Sequence, residues 1–147
     1  MNEAKDYLLQ IHRADLILLH LRREIAELRS GLLPSAITYD TDRVQTSPGD
    51  PMSETFAKLD DLERQYNAEL VKRSELRMRI IIQIGKLPAR YAKLLYLRYV
   101  DGMKLDHIAR KLQYSSDWVR HLHGEALTAF LDTNREEVDA WLKDHSG

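Results

Sequence analysis

Cysteine is absent from the chain. That excludes disulfides, thiolate metal sites and cysteine nucleophiles, and it fits an intracellular setting. Long hydrophobic runs are missing as well: stretches such as 16–19 and 80–82 are far too short to cross a bilayer. The N-terminus also lacks a basic segment followed by an apolar stretch, so a cytoplasmic protein with no membrane contact is expected. Aromatic residues are scarce, at 7%, beside 44% apolar and 31% charged residues. This mixture is typical of soluble helical proteins with long solvated faces. There is no charge excess either, and a net charge of −1 argues against a nonspecific polycation that coats nucleic acid.

The charge is nevertheless unevenly placed. Between residues 86 and 131 stand eight Lys or Arg (86, 90, 93, 98, 104, 110, 111 and 120) against four Asp or Glu (101, 106, 117 and 125). The flanking parts are acidic. A local basic excess can steer a module to phosphates even when the whole protein is near neutral.

Three segments are readable in the 147 residues. The first carries Ala4, Tyr7, Ile11, Ala14, Leu18, Leu21, Ile25, Leu28 and Leu32 in alternating steps of three and four, a heptad seam, and Gly31 and Pro34 end it. A loop is expected over 31–51, where Gly31, Pro34, Pro48, Gly49 and Pro51 are separated mostly by polar residues. A second long helix should begin near Met52 or Ser53, with Ser53 as cap and Phe56 as its first buried residue. Its seam continues through Leu59, Leu62, Tyr66, Leu70, Arg73, Leu76, Ile80, Ile84 and Leu87. The expected fold is all-α. An antiparallel coiled-coil hairpin occupies 1–86 with its loop at 31–51, a helix-turn-helix domain occupies 87–131, and a short C-terminal helix occupies 132–147. Pro88 suits a first helical turn and Gly102 closes the helix it opens. Either Asn134 with Glu137 or Thr133 with Glu136 can form a capping box for the last helix.

The stretch "IARKLQYSSDWVRHL", 108–122, reads as two short helices around a tight polar turn. The first should bury Leu105, Ile108, Ala109 and Leu112, with Ala109 small enough to allow a steep crossing. Tyr114 is expected to plug the turn, and Ser115 or Ser116 to cap the next helix, whose first turn holds Asp117. At 100° per residue Val119, Leu122 and Ala126 face inward, while Asp117, Arg120, His121 and Gly124 face out. Arg120 is the best base reader in this set, because guanidinium can bond both acceptors of a guanine edge. Trp118 falls at the boundary and is expected to pack on its neighbours. Gly124 either admits a DNA backbone closely or simply relaxes the helix.

The segment Leu87 to Leu127 resembles region four of the sigma-70 family, the part of a sigma factor that binds the −35 promoter element. The matching positions are Leu87, Pro88, Arg90, Leu95, Leu97, Arg98, Tyr99, Gly102, Ile108, Ala109, Leu112, Ser115, Val119 and Ala126. Lys104 departs from the usual capping Ser or Thr, and Gln113 from the usual turn glycine. The seam, "RVQTSP" at 43–48 and "LHGEAL" at 122–127 are together similar to small phage and prophage proteins grouped with ArpU- and RinA-type regulators of late transcription. The resemblance implies a regulator that binds double-stranded DNA, with Asp117, Arg120, His121 and Gly124 toward the bases. Lys104, Arg110, Lys111, Ser115 and Ser116 would lie toward the phosphates. The coiled coil itself is expected to make a homo-oligomer, a dimer being favoured, and the resemblance allows contact with RNA polymerase.

Enzyme signals fail one by one. "GKL" at 85–87 lacks the glycine spacing and hydroxyl residue of a phosphate loop. His121 and His123 lie about 200° apart on a helix, so they cannot share a metal from one face. His12 and His20 lie on the long helix without a convincing carboxylate ligand, and Asp60, Asp61 and Glu63 read as a solvated face. No enzyme, cofactor or metal is expected. Two other classes remain open: a small terminase-like packaging protein, and a structural coiled-coil adaptor whose C-terminal module binds protein.

Overall fold

A computed structural model of the chain describes residues 2–32 and 51–145, and all of their regular structure is helical. The expected loop lies outside these residues except at its edges, as does the "RVQTSP" stretch. The elements in order are α1 (Glu3–Leu8), α2 (Gln10–Gly31), α3 (Pro51–Ile84), α4 (Ala89–Leu95) running into a π-helical turn (Tyr96–Val100), α5 (Leu105–Leu112), α6 (Ser116–Thr133) and α7 (Arg135–His145). Among the described residues, no helix is long and apolar enough to cross a membrane. The chain divides into two compact units, one of residues 14–72 and the other of the residues up to Arg13 with those from Arg73 onward.

In the 14–72 unit, Leu21 and Ile25 of α2 bury against Leu62 of α3, with Leu28, Leu59 and Tyr66 packed around them. Arg29 ion-pairs with Glu63, whereas Leu16 to Leu21 share a shallow groove with Gln65 to Glu69. The two helices therefore run antiparallel here. Ser53 does not cap α3. The helix already begins at Pro51, whose fixed φ suits a first turn, and the Thr55 hydroxyl donates to the Pro51 carbonyl oxygen at 2.8 Å. Nor is Phe56 the first buried residue: it is 53% exposed and lies almost a turn before Leu59, where packing starts. Leu70, also on the seam, is exposed too.

The other unit holds two apolar clusters. The larger gathers Tyr7, Leu8 and Ile11 from the first residues, Ile80 and Ile84 from the end of α3, and Leu95, Tyr99 and Val100 from α4 and the π turn. Ala126, Leu127 and Phe130 of α6 and Val138 of α7 complete it. The smaller contains Leu94, Leu97, Ile108, Ala109, Val119 and Leu122. α4 with its π turn thus presents one face to each cluster, and α6 gives its N-terminal half to the smaller and its C-terminal half to the larger. The Asp101 amide donates to the Tyr96 carbonyl at 3.0 Å, the five-residue step that widens the helix at this point.

Polar groups fix the larger cluster. The Tyr7 hydroxyl donates to Gln83 Oε1 at 2.8 Å, and the Tyr7 ring meets Trp141 edge-on at 5.5 Å and Phe130 at 5.8 Å. The heptad pattern predicts one uninterrupted helix from Ala4. The backbone instead loosens at Leu9 (φ −72°, ψ −3°), although hydrogen bonds from Leu9 to Lys5 and from Arg13 to Leu9 carry the ladder across. Pro88 stands one residue before α4 as its cap, not within it. The expected capping box is absent from α7, which starts at Arg135, so Thr133 is not its cap. Asn134 is fully buried, and its Nδ2 turns inward to donate to the carbonyl oxygens of Phe130 and Gln83, at 3.2 and 3.4 Å. Glu137 faces Lys86 at 3.7 Å.

Candidate nucleic-acid interface

The α5–turn–α6 segment is built from its smallest contacts upward. Ile108 and Ala109 are buried, and Leu105 and Leu112 pack on the same cluster from its margin. α5 opens at Lys104, whose backbone is extended (φ −73°, ψ 150°) but whose side chain offers the helix no cap. It closes on Gln113 in the left-handed region (φ 61°, ψ 41°). The Gln113 amide donates to Arg110 O at 3.3 Å and the Tyr114 amide to Ala109 O at 2.9 Å, the paired bonds of a Schellman ending. Glycine is the residue that adopts this conformation without a Cβ penalty; Gln113 adopts it because the two carbonyls would otherwise lack partners.

Tyr114 does not plug the turn. Its backbone is held, but its side chain is 47% exposed, because the small contact at Ala109 already closes the space between the helices. Ser115 is the cap of α6: its Oγ accepts from the Trp118 amide at 3.1 Å, leaving Ser116 as the first helical residue. Trp118 stays 47% exposed, its ring 5.5 Å from that of His121.

Val119, Leu122 and Ala126 are buried, which turns Asp117, Arg120, His121 and Gly124 outward, all of them exposed. A Cβ at Gly124 would meet nothing within 4 Å, so no neighbour in the chain requires glycine there. The cations of the expected phosphate set are exposed as well: Lys104 just before α5, and Arg110 and Lys111 in its last turn, where the helix dipole favours positive charge. Among the described residues, no carboxylate pairs with Lys104, Arg110 or Lys111.

Arg120 is different. Its Nη1 donates to Asp117 Oδ1 at 3.1 Å, and its Nη2 lies 3.7 Å from Asp106 Oδ1 on α5. His121 Nε2 lies 3.3 Å from Glu125, which also accepts from the Tyr91 hydroxyl at 3.4 Å. Tyr91 in turn accepts from Arg90 at 3.0 Å. Glu125 and Asp132 line a shallow depression with Arg120 and His121, and the carboxylates beside Arg120 itself are Asp106 and Asp117. Residue types and helical angles located the outward groups. They did not reveal Asp106, which reaches Arg120 from a different helix.

Behind this surface Arg98 Nη1 donates to the Met103 carbonyl at 3.1 Å, tying the π turn to the approach of α5 past Gly102 (φ +74°). The Tyr99 hydroxyl lies 2.7 Å from His123 Nε2, with the rings stacked at 5.7 Å. Burial, together with the charges of Arg98 and Lys5, lowers the His123 pKa to about 4, and burial pushes the Tyr99 hydroxyl up to about 12. The imidazole is therefore neutral at pH 7 and hydrogen-bonds the Tyr99 hydroxyl through Nε2. Among the described residues, no group of three or more His, Asp or Glu side chains can hold a metal ion. Comparison with family models, curated proteins and solved structures returned no match for this chain.

Proposed function

We propose that the chain is a sequence-specific DNA-binding transcriptional regulator of the phage or prophage late-gene type. Its coiled-coil hairpin would join two copies, and its helix-turn-helix would enter the major groove. The observation that carries this reading is the α5–turn–α6 arrangement. A buried Ala109 crossing, a left-handed Gln113 and a Ser115 cap hold α6 so that Asp117, Arg120, His121 and Gly124 all point outward near its start. Lys104, Arg110 and Lys111 supply phosphate contacts, and hydroxyls at Ser115 and Ser116 adjoin the helix N-terminus. Apolar side chains left exposed in the 14–72 unit, among them Leu16, Ile17, Phe56 and Val71, support self-association. Contact with RNA polymerase belongs to the same reading.

Selection of duplexes from a genomic library by the purified protein tests the proposal, followed by fluorescence anisotropy over a salt series. A regulator binds a selected duplex with affinity that falls as salt rises, and Arg120→Ala costs about 1–3 kcal/mol at that site. Affinity indifferent to both overturns it. A second reading, an adaptor whose C-terminal module grips a basic protein surface, is favoured by the carboxylates beside Arg120 and His121; it predicts no salt-dependent duplex binding. A solution mass of eight or more subunits would favour a terminase-like packaging ring.

A further inference from the structure

We propose that Asp106 is a specificity-positioning residue. From α5 it completes, with Asp117, a carboxylate clamp on Arg120 that penalises phosphate and tolerates a base edge. The inference rests on the DNA-binding reading above and deepens it. Arg120 is the one cation of the expected DNA-contacting Lys and Arg set that is held by acids, at 3.1 Å from Asp117 and 3.7 Å from Asp106, whereas Lys104, Arg110 and Lys111 have no carboxylate partner among the described residues. The trio of Arg120, Asp106 and Asp117 carries net charge −1. A phosphate oxygen approaching the guanidinium is an anion and meets two like charges. Guanine O6 and N7 carry only partial negative charge and meet a much weaker repulsion.

Guanidinium has five N–H donors. Those used toward the carboxylates leave enough for a bidentate contact with guanine, and the clamp restricts the planar group to fewer poses before DNA arrives. The free cations bind phosphate wherever the duplex offers it; the clamped one is reserved for the base. Asp106 itself sits on α5, not on the reading helix, so removing its charge takes no base contact away.

The test compares wild type, Asp106→Asn and Asp106→Glu by anisotropy on a selected duplex and on a scrambled duplex of equal length, with helicity checked by circular dichroism. The clamp predicts that Asp106→Asn tightens scrambled-duplex binding by about two- to fivefold, the scale of an exposed ion pair. The selected duplex gains less, so the specificity ratio falls, and Asp106→Glu keeps the wild-type ratio. An unchanged ratio in Asp106→Asn overturns the clamp while the DNA reading stands. Equal change in both variants also overturns it, since that would report the start of α5 and not its charge. Failure of the wild type to bind any duplex defeats the DNA reading itself, and this inference with it.

Discussion

The Tyr99 hydroxyl and His123 Nε2 stand 2.7 Å apart, between the π turn and α6, where burial holds the imidazole neutral. With a folded pKa of about 4 against 6.5 for an ordinary histidine, the unfolded chain binds more protons between those values. His123 therefore leaves stability intact above about pH 6.5 and removes it progressively as pH falls toward 4. Urea titrations at pH 7 and pH 4.5 should show a larger acid loss in wild type than in His123→Gln, which keeps a polar group that cannot charge. Equal losses would show that His123 is not the group responsible.

Gln113 occupies a left-handed position that costs a Cβ-bearing residue roughly 1–2 kcal/mol, partly offset in glycine by greater unfolded-state freedom. Gln113→Gly should therefore stabilise the protein by about 0.5–1 kcal/mol, raising Tm by roughly 2–4 °C per kcal/mol. Gln113→Val should move the other way. Differential scanning calorimetry of both variants decides the matter.

Caps differ at the starts of the two short-turn helices. Ser115→Ala removes the bond to the Trp118 amide and should cost about 1 kcal/mol, whereas Lys104→Thr places a hydroxyl where α5 has none and should gain up to about 1 kcal/mol. Chemical denaturation measures both, and the gain is absent if the threonine hydroxyl finds a partner other than the helix amides.

Much of the helical arrangement can be read from spacing. Leu21, Ile25 and Leu62 fall on the heptad seams, and Ile108, Ala109, Val119 and Leu122 fall at the inward angles of two short helices. Periodicity reports which face of a helix is apolar, and packing then buries that face wherever a partner reaches it. Phe56 and Leu70 show the limit, since they obey the repeat and remain exposed. The packing of Tyr7 against Phe130 and Trp141 has no local signature, because it joins the first residues to the last helices. Asn134 has the chemistry of a cap but is buried, and the demand of Gln83 and Phe130 carbonyls decides its orientation. In the candidate interface, the outward set was legible from helical angles. The Asp106–Arg120 approach was not, since it depends on how α5 crosses α6.

Tyr7 supplies the test of that long-range joint. Tyr7→Phe leaves Gln83 without its donor and should cost about 1–2 kcal/mol, while Phe130→Ala empties the centre of the cluster and should cost about 3–5 kcal/mol. Thermal melts should rank them in that order. Near-neutral behaviour of Phe130→Ala would mean that the N-terminal residues do not seat on α6.

Because α6 is shared by both apolar clusters, its outward end cannot loosen independently of its far end. Amide protons from Val119 through Phe130 should consequently exchange with deuterium as one cooperative block, at a rate set by global opening. The groups presented at its tip then inherit the rigidity of a whole domain, and a lesion fifteen ångströms along the rod, about ten residues at 1.5 Å each, would be felt as blurred aim at the other end.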